Sequence, residues 1–218
     1  MLVLPNKKLI FLHIPKTGGT SINKLIQDRE NRHRIFGKPN PTDKFWGYIL
    51  NYVGNFDTKH LTFKEINAKL IFRLIRVQGW SFVCVVRNPY ERILSLHRYL
   101  RKYKPRKDIK FPKDVNKFIS DFIPNHPEGF SLRSLKKQSS FIEGINSINL
   151  KVLKTESLNQ DWLKLLSNYN DQICLPRSNS TQSKNINIAR NILSDDSIKI
   201  VNKFYSDDFK RFGYMKYV

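Results

Sequence analysis

Two short apolar runs constrain the fold most, because each leads directly into a segment suited to anion binding. Leu9–Ile14 leads into the glycine-rich turn Pro15–Ser21, and Ser81–Val86 leads into Arg87. Apolar runs of this length, bounded by turn residues, are typical of buried strands. Asn88–Pro89 comes next, and these residue types favour the cap and the first position of a helix. We therefore predict two buried strands, each followed by a helix.

The rest of the sequence continues this alternation, which is typical of a parallel sheet covered by helices. A third strand is predicted at Ile148–Leu153, and residues 29–59 are predicted as a long loop. Apolar periodicity predicts helices at Glu65–Gln78, Pro89–Tyr103, Lys113–Ile123, Leu132–Ile142, Leu158–Tyr169 and Asp195–Phe212. We expect one domain over residues 1–218, with an α/β fold in which a P-loop-like parallel β-sheet is flanked by helices on both faces.

The charge of the chain restricts its partners without identifying one. Lys and Arg number 39 against 18 Asp and Glu, a formal net charge of +21. This excess favours a polyanion, whether nucleic acid, an anionic membrane surface, an acidic glycan or a phosphate-rich co-substrate. The apolar runs are too short to span a membrane, and two cysteines provide neither a disulfide framework nor a metal quartet. We expect a cytoplasmic protein with no transmembrane segment, unless an N-terminal membrane anchor has been trimmed from it.

The turn Pro15–Ser21 has the composition of an anion site. Its backbone N–H groups and the following helix N-terminus would point at the ligand, and Gly18 and Gly19 would let that ligand approach closely. Lys16 adds a positive charge, and the Thr and Ser hydroxyls add donors. The lysine precedes the glycines, unlike in a nucleotide-hydrolysing P-loop, and no strand ends in an Asp that could hold Mg²⁺. A tight turn with a solvated Lys16 would explain the same residues.

Arg87 supplies a second candidate anion site. It leaves its strand at the edge where the ends of parallel strands open, and a guanidinium can bind phosphate through paired hydrogen bonds. Ser95 lies two helical turns further on, where its hydroxyl could face the same anion. Two anion sites at one edge suit a nucleotide with phosphates at both ends of its ribose.

Both segments resemble donor-binding motifs of the sulfotransferase superfamily, whose co-substrate is 3′-phosphoadenosine 5′-phosphosulfate (PAPS). Phe11–Ser21 resembles the loop that binds the 5′-phosphosulfate, in the form closer to the carbohydrate branch of Golgi-type and bacterial enzymes. Val85–Arg92, together with Ser95, resembles the 3′-phosphate motif. Gln138–Ile142 and Phe204–Tyr214 also resemble segments of the family.

The resemblance implies sulfuryl transfer from PAPS to a hydroxyl acceptor, without a metal and with 3′-phosphoadenosine 5′-phosphate (PAP) as product. It implies that Lys16 stabilises the leaving phosphate and that His60 is the general base. Glu65 and Glu156 remain alternative bases, and His13 either lines the donor site or packs in its strand. The implied donor-binding residues are Pro15, Lys16, Thr17, Gly18, Gly19, Thr20, Ser21, Arg87 and Ser95.

The acceptor is less defined by the sequence. The resemblance favours a carbohydrate, and the basic segment Arg98–Lys113 would suit an anionic glycan, although a solvated surface has the same composition. Two other functions are compatible with the residues alone. One is a nucleotide or small-molecule kinase, and the other is a non-catalytic polyanion-binding protein. The sequence contains no motif for specific recognition of nucleic acid.

Overall fold

The computed structural model describes residues 2–4, 8–19, 21–22, 60–68, 79–103, 110–124, 133–167 and 188–218. The chain forms two compact units, which we call the sheet unit (residues 1–86 and 140–179) and the helical unit (residues 87–139 and 180–218). The predicted loop at 29–59, residues 69–78 of one predicted helix and Thr20 lie outside the described residues.

The described elements follow the predicted alternation of strands and helices. The strands are β1 (Leu2–Leu4), β2 (Leu9–Leu12), β3 (Ser81–Val86) and β4 (Leu150–Lys154). The helices are α1 (Phe63–Ala68), α2 (Pro89–Tyr103), α3 (Val115–Phe122), α4 (Gln138–Phe141), α5 (Leu158–Ser167), α6 (Ile188–Ile192), α7 (Asp195–Phe204) and α8 (Ser206–Phe212). Short 3₁₀ turns occur at Arg133–Leu135, Ser147–Asn149 and Thr155–Ser157.

The four strands form one sheet in the order β1-β2-β3-β4. β2, β3 and β4 are parallel, with Leu12 opposite Cys84 and Cys84 opposite Val152. β1 is antiparallel to β2 and forms an edge that the sequence did not predict. The carboxyl ends of the three parallel strands therefore lie at one edge of the sheet, where ligands of open α/β sheets bind.

Successive strand residues point to opposite faces of a sheet. Because consecutive apolar residues of β2 and β3 are buried, both faces of the sheet are covered. On one face, Val83 and Val85 belong to a core cluster with Trp162 and Leu166 of α5. On the other face, the ring of Phe82 packs edge-on against Phe63 of α1, with 5.3 Å between ring centroids. The predicted α/β fold, a parallel sheet flanked by helices, is confirmed, with β1 added.

The helical unit has its own core around α2, whose bounds match the prediction. Asn88 Oδ1 accepts a hydrogen bond from the Tyr90 N–H at 3.0 Å and so caps the start of this helix. The apolar stripe of α2, together with α3, α7 and α8, forms a cluster of buried residues that includes Ile93, Leu100, Phe118, Val201 and Phe209.

The prediction of one continuous helix at Leu132–Ile142 is wrong, because the middle of this segment is not helical. A buried arginine binds backbone carbonyls there that a continuous helix would use for its own hydrogen bonds. Arg92, only 2% exposed, donates to the Ser134 carbonyl at 2.9 Å and to the Lys136 carbonyl at 3.0 Å. Tyr205 Oη donates to the Leu135 carbonyl at 2.9 Å. The segment therefore forms a 3₁₀ turn and the separate helix α4. The predicted helix Asp195–Phe212 is likewise divided at Tyr205.

Candidate active site

The glycine-rich turn after β2 is held by hydrogen bonds between close neighbours in the chain. Thr17 Oγ1 donates to the Ile14 carbonyl at 2.9 Å, and the Ser21 N–H donates to the Gly18 carbonyl at 3.1 Å. Lys16 has a left-handed backbone with φ of 66°, and Gly18 follows with φ of 84°. A non-glycine residue in this region is strained, and such residues cluster at functional sites.

Gly19 is required by the close approach of a histidine ring. A β-carbon on Gly19 would lie 2.5 Å from Cδ2 and 2.9 Å from Nε2 of His13. His13 is only 6% exposed, so the groups around it leave its ring little room to move away. Any side chain at residue 19 would therefore displace His13 from its place beside the turn.

The ring of His60 contacts both the ring and the backbone carbonyl of His13. The two ring centroids are 4.8 Å apart, and His60 Nδ1 lies 3.2 Å from the His13 carbonyl oxygen. A carbonyl only accepts hydrogen bonds, so Nδ1 of His60 carries a proton and donates it. In the neutral ring Nε2 is then the nitrogen with a lone pair, as a general base requires.

The start of α1 fixes the chain just after His60. The Thr62 N–H donates to Glu65 Oε2 at 2.8 Å, and the Glu65 N–H donates to Thr62 Oγ1 at 3.2 Å. This reciprocal pair is a capping box, which satisfies two otherwise unpaired groups at a helix N-terminus. The carboxylate of Glu65 thus has a structural partner at the cap, which favours His60 over Glu65 as the base.

Thr155 joins the turn to the strand ends, a role that the sequence analysis missed. Its Oγ1 lies 2.7 Å from the Thr17 carbonyl oxygen and 2.9 Å from the Val86 carbonyl oxygen. Its methyl group lies 3.6 Å from a β-carbon built on Gly18. Thr155 directly follows β4, so the rule that parallel strands end at one edge could have pointed to it.

In the helical unit, Arg87 is paired with a carboxylate one helical turn away. Arg87 Nη2 donates to Glu91 Oε2 at 3.2 Å, and the two side chains are 11% and 16% exposed. Ser95 lies a further turn along the same side of α2 and is partly buried. The i, i+4 spacing of Arg87 and Glu91 is readable in the sequence, although this pair was not predicted.

Comparison with known proteins decides the family. A model described as the sulfotransferase family matches residues 1–215. The chain belongs to the sulfotransferase family. The structure of mouse sulfotransferase SULT7A1 complexed with PAP is similar to this one, with a TM-score of 0.52 and 10% sequence identity. The similarity covers 96% of this chain and 87% of the mouse chain, and it shows a shared fold. A search of curated protein sequences finds no significant match.

Family membership confirms the predicted superfamily and the predicted class of enzyme, a sulfotransferase. The described residues of the predicted 5′ loop lie together in the sheet unit with His60, whereas Arg87 and Ser95 lie in the helical unit. The alternative base Glu156 is exposed in the 3₁₀ turn after β4. The individual roles of all these residues remain predictions.

Two further features are absent from the described residues. Within them, no helix combines the length and hydrophobicity needed to cross a bilayer. The same residues contain no group of three His, Cys, Asp or Glu side chains that could hold a metal ion.

Proposed function

We propose that this sulfotransferase moves the sulfuryl group of PAPS to a hydroxyl of a carbohydrate acceptor. The contact series from Gly19 through His13 to His60 carries the proposal. It joins the loop proposed to bind the 5′ end of the donor to the side chain proposed as general base. A tight turn with a solvated lysine would not need a histidine held in one tautomer beside it.

Lys16 and the turn around it are proposed to bind the donor and to stabilise its leaving phosphate. When the bond between sulfur and the 5′-phosphate oxygen breaks, negative charge develops on that oxygen. Lys16 and the N–H groups of the turn stabilise this charge, and a donor fixed before the reaction needs no reorganisation during it. The left-handed backbone of Lys16 suits such a fixed position.

The acceptor side falls to His60. As the acceptor oxygen bonds to sulfur, its proton passes to Nε2 of His60, and PAP leaves with the electron pair of the broken bond. The His13 carbonyl, which accepts from Nδ1, holds the ring in orientation and stabilises the imidazolium that forms. No proton is left over in this in-line transfer.

Arg87 and Ser95 are proposed to bind the 3′-phosphate. A guanidinium has five N–H donors in a planar fork that matches phosphate, and Arg87 directs Nη2 at Glu91. Glu91 would fix the direction of the guanidinium. We propose that both units serve one sulfotransferase-like domain over residues 1–218, which the extent of the family match, 1–215, supports.

The first test of the donor site is calorimetric titration with PAP, with AMP as the ligand that lacks the 3′-phosphate. Wild type should bind PAP more tightly than AMP, and Arg87→Ala should weaken PAP by roughly 10- to 100-fold, since hydrogen bonds between charged groups contribute about 1.5–3 kcal/mol. AMP affinity should be nearly unchanged in the variant. Equal affinity of wild type for PAP and AMP would rule out the donor site.

The test of the base is His60→Ala, assayed as sulfate transfer from PAPS. Loss of a general base lowers kcat by about 10²- to 10⁴-fold. Added imidazole should restore part of the activity, because it can accept the proton in place of the missing side chain. If the variant keeps the wild-type kcat, His60 is not the base, and Glu156 becomes the favoured candidate.

An anionic carbohydrate is the acceptor that we propose. The described part of the basic segment has exposed cations at Arg98, Arg101, Lys102, Lys110 and Lys113. Two exposed rings, Tyr99 and Tyr103, lie beside them with centroids 4.9 Å apart and could stack on sugar faces. Sulfate transfer to a carboxylated polysaccharide should exceed transfer to a neutral one or to a simple phenol. A preference for the phenol would refute a carbohydrate acceptor.

A cytoplasmic location of the protein stays a prediction.

A further inference from the structure

Both backbone polar groups of Arg87 are bonded to one distant side chain. The Arg87 N–H donates to Gln138 Oε1 at 2.9 Å, and Gln138 Nε2 donates to the Arg87 carbonyl at 2.8 Å. Arg87 follows β3 and precedes α2, so the chain changes from strand to helix around this residue. The amide of Gln138 makes a pair of hydrogen bonds to its backbone, as a neighbouring strand would.

Gln138 is itself held by a buried carboxylate. Asp208 Oδ2 accepts from the Gln138 N–H at 2.8 Å and from Gln138 Nε2 at 3.4 Å. Asp208 Oδ1 accepts from the Ser139 N–H at 2.8 Å. Gln138 and Asp208 are each 0% exposed, so water cannot substitute for either partner. The amide can therefore bond Arg87 in only one orientation.

This arrangement does more than cap α4. Capping would require only the hydrogen bonds that Asp208 accepts from the backbone N–H groups of Gln138 and Ser139. In addition, Asp208 accepts a hydrogen bond from the Gln138 side-chain amide. That amide in turn bonds the backbone N–H and the backbone carbonyl of Arg87, so the network reaches the residue proposed to bind phosphate. Binding groups need positions fixed by a surrounding shell of hydrogen bonds if they are to bind without an ordering cost.

We propose that Gln138, oriented by Asp208, is a positioning residue that sets the affinity for the 3′-phosphate of the donor through Arg87. The proposal rests on the proposed function, in which Arg87 binds that phosphate. Gln138 acts on Arg87 and not on the ligand. Its removal should therefore affect ligands with a 3′-phosphate and leave those without one.

The experiment measures dissociation constants for PAP and AMP in wild type, Arg87→Ala, Gln138→Met and the double variant. Methionine keeps the length of the glutamine side chain and removes both of its hydrogen bonds to Arg87, together with the one to Asp208. Gln138→Met should weaken PAP about 10-fold and AMP less than twofold, and the double variant should bind PAP no more weakly than Arg87→Ala alone. The KM for PAPS should rise about 10-fold, with kcat within twofold. Gln160→Met, at an exposed position of α5, is the matched control and should not change either constant.

Each other outcome overturns the proposal in a recognisable way. Equal loss of PAP and AMP binding, or effects that add in the double variant, would make Gln138 purely structural. Loss in Arg87→Ala with none in Gln138→Met would overturn the positioning role alone, whereas no loss in Arg87→Ala would overturn the 3′-phosphate site as well. If Gln138→Met does not fold, Gln138→Asn decides, because it adds no buried charge beside Asp208 and its amide is one methylene too short to keep both hydrogen bonds to Arg87. Its PAP affinity should lie between wild type and Arg87→Ala, and a wild-type value would refute the proposal.

Discussion

The two candidate anion sites are held in place in different ways. The turn after β2 is shaped by hydrogen bonds between residues three apart, from Thr17 to Ile14 and from Ser21 to Gly18. Arg87 is held by Gln138, which is 51 residues away, and Gln138 by Asp208, a further 70 residues away. The first site is therefore encoded mainly by local contacts, with one distant contact from Thr155, whereas the second depends on buried side chains brought together by folding.

Lys16 should show the largest effect, because it combines a strained backbone with a charge that is proposed to act in catalysis. Lys16→Ala and Lys16→Gly should both lower kcat by about 10²- to 10³-fold, as loss of a preorganised charge-stabilising group does. Glycine adopts positive φ without strain, so Lys16→Gly should be more stable than Lys16→Ala by about 1 kcal/mol in urea denaturation. Lys151→Ala, on the exposed part of β4, is the control for loss of a lysine. Equal stability of the two Lys16 variants would show that this backbone position is not strained.

Two adjacent aspartates test how much the helical unit depends on a buried carboxylate. Asp208→Asn should lower the free energy of unfolding by about 2–4 kcal/mol, because an amide cannot accept all the N–H groups that the carboxylate accepts. The neighbouring Asp207 is the matched control. Its hydrogen bond from Lys137 holds the pKa of the Asp207 carboxyl below its usual value, but both side chains are partly in solvent.

Asp207→Asn should therefore change the unfolding free energy by less than about 1 kcal/mol, as is typical of surface ion pairs. Any contribution of Asp207 is present above the unfolded pKa of the carboxyl and is lost as the pH falls through the lower folded value. Similar losses in the two variants would show that burial does not distinguish these residues.

Tyr205 tests the same dependence through pH. Burial raises the pKa of its phenol from 10.0 to about 12, because the charged form would lose its solvation. The stabilisation from the neutral phenol is therefore complete below pH 10 and lost as the pH rises from 10 through 12. Between pH 9 and pH 12, wild type should lose roughly 2 kcal/mol more of its unfolding free energy than Tyr205→Phe. Parallel pH profiles of the two proteins would contradict a buried, protonated Tyr205.

Thr155 should show the smallest effect and sharpens the view that the turn is mainly self-supporting. Thr155→Val keeps the shape of the side chain but removes the hydroxyl that meets the Thr17 and Val86 carbonyls. We expect a loss of about 1 kcal/mol in stability and a change of a few fold in PAP affinity, the usual effect of one neutral hydrogen bond. Thr155→Ser keeps the hydroxyl and should behave as wild type. A loss as large as that of Asp208→Asn would show that the turn also depends on distant contacts.

The local parts of the fold could be predicted from the sequence. β3 and α2 have the predicted bounds, because an apolar run, a capping Asn88 and a helical apolar stripe all act within a few residues. The third strand begins two residues later than predicted, at Leu150, since the Asn146 side chain caps a 3₁₀ turn at Ser147–Asn149 first. The candidate turn and Arg87 were predicted from local patterns of the same kind, and the role of His60 was predicted from resemblance to the sulfotransferases.

The sequence by itself determined the strand-and-turn units, because strand burial, caps and glycine-rich turns depend on neighbours in the chain. Only the tertiary structure decided that Arg92 and Tyr205 interrupt a predicted helix, that Thr155 meets the turn, and that Gln138 and Asp208 hold Arg87. These are hydrogen bonds from buried side chains to distant groups. They replace local bonds because a polar group buried without a partner costs more free energy than a helical bond contributes.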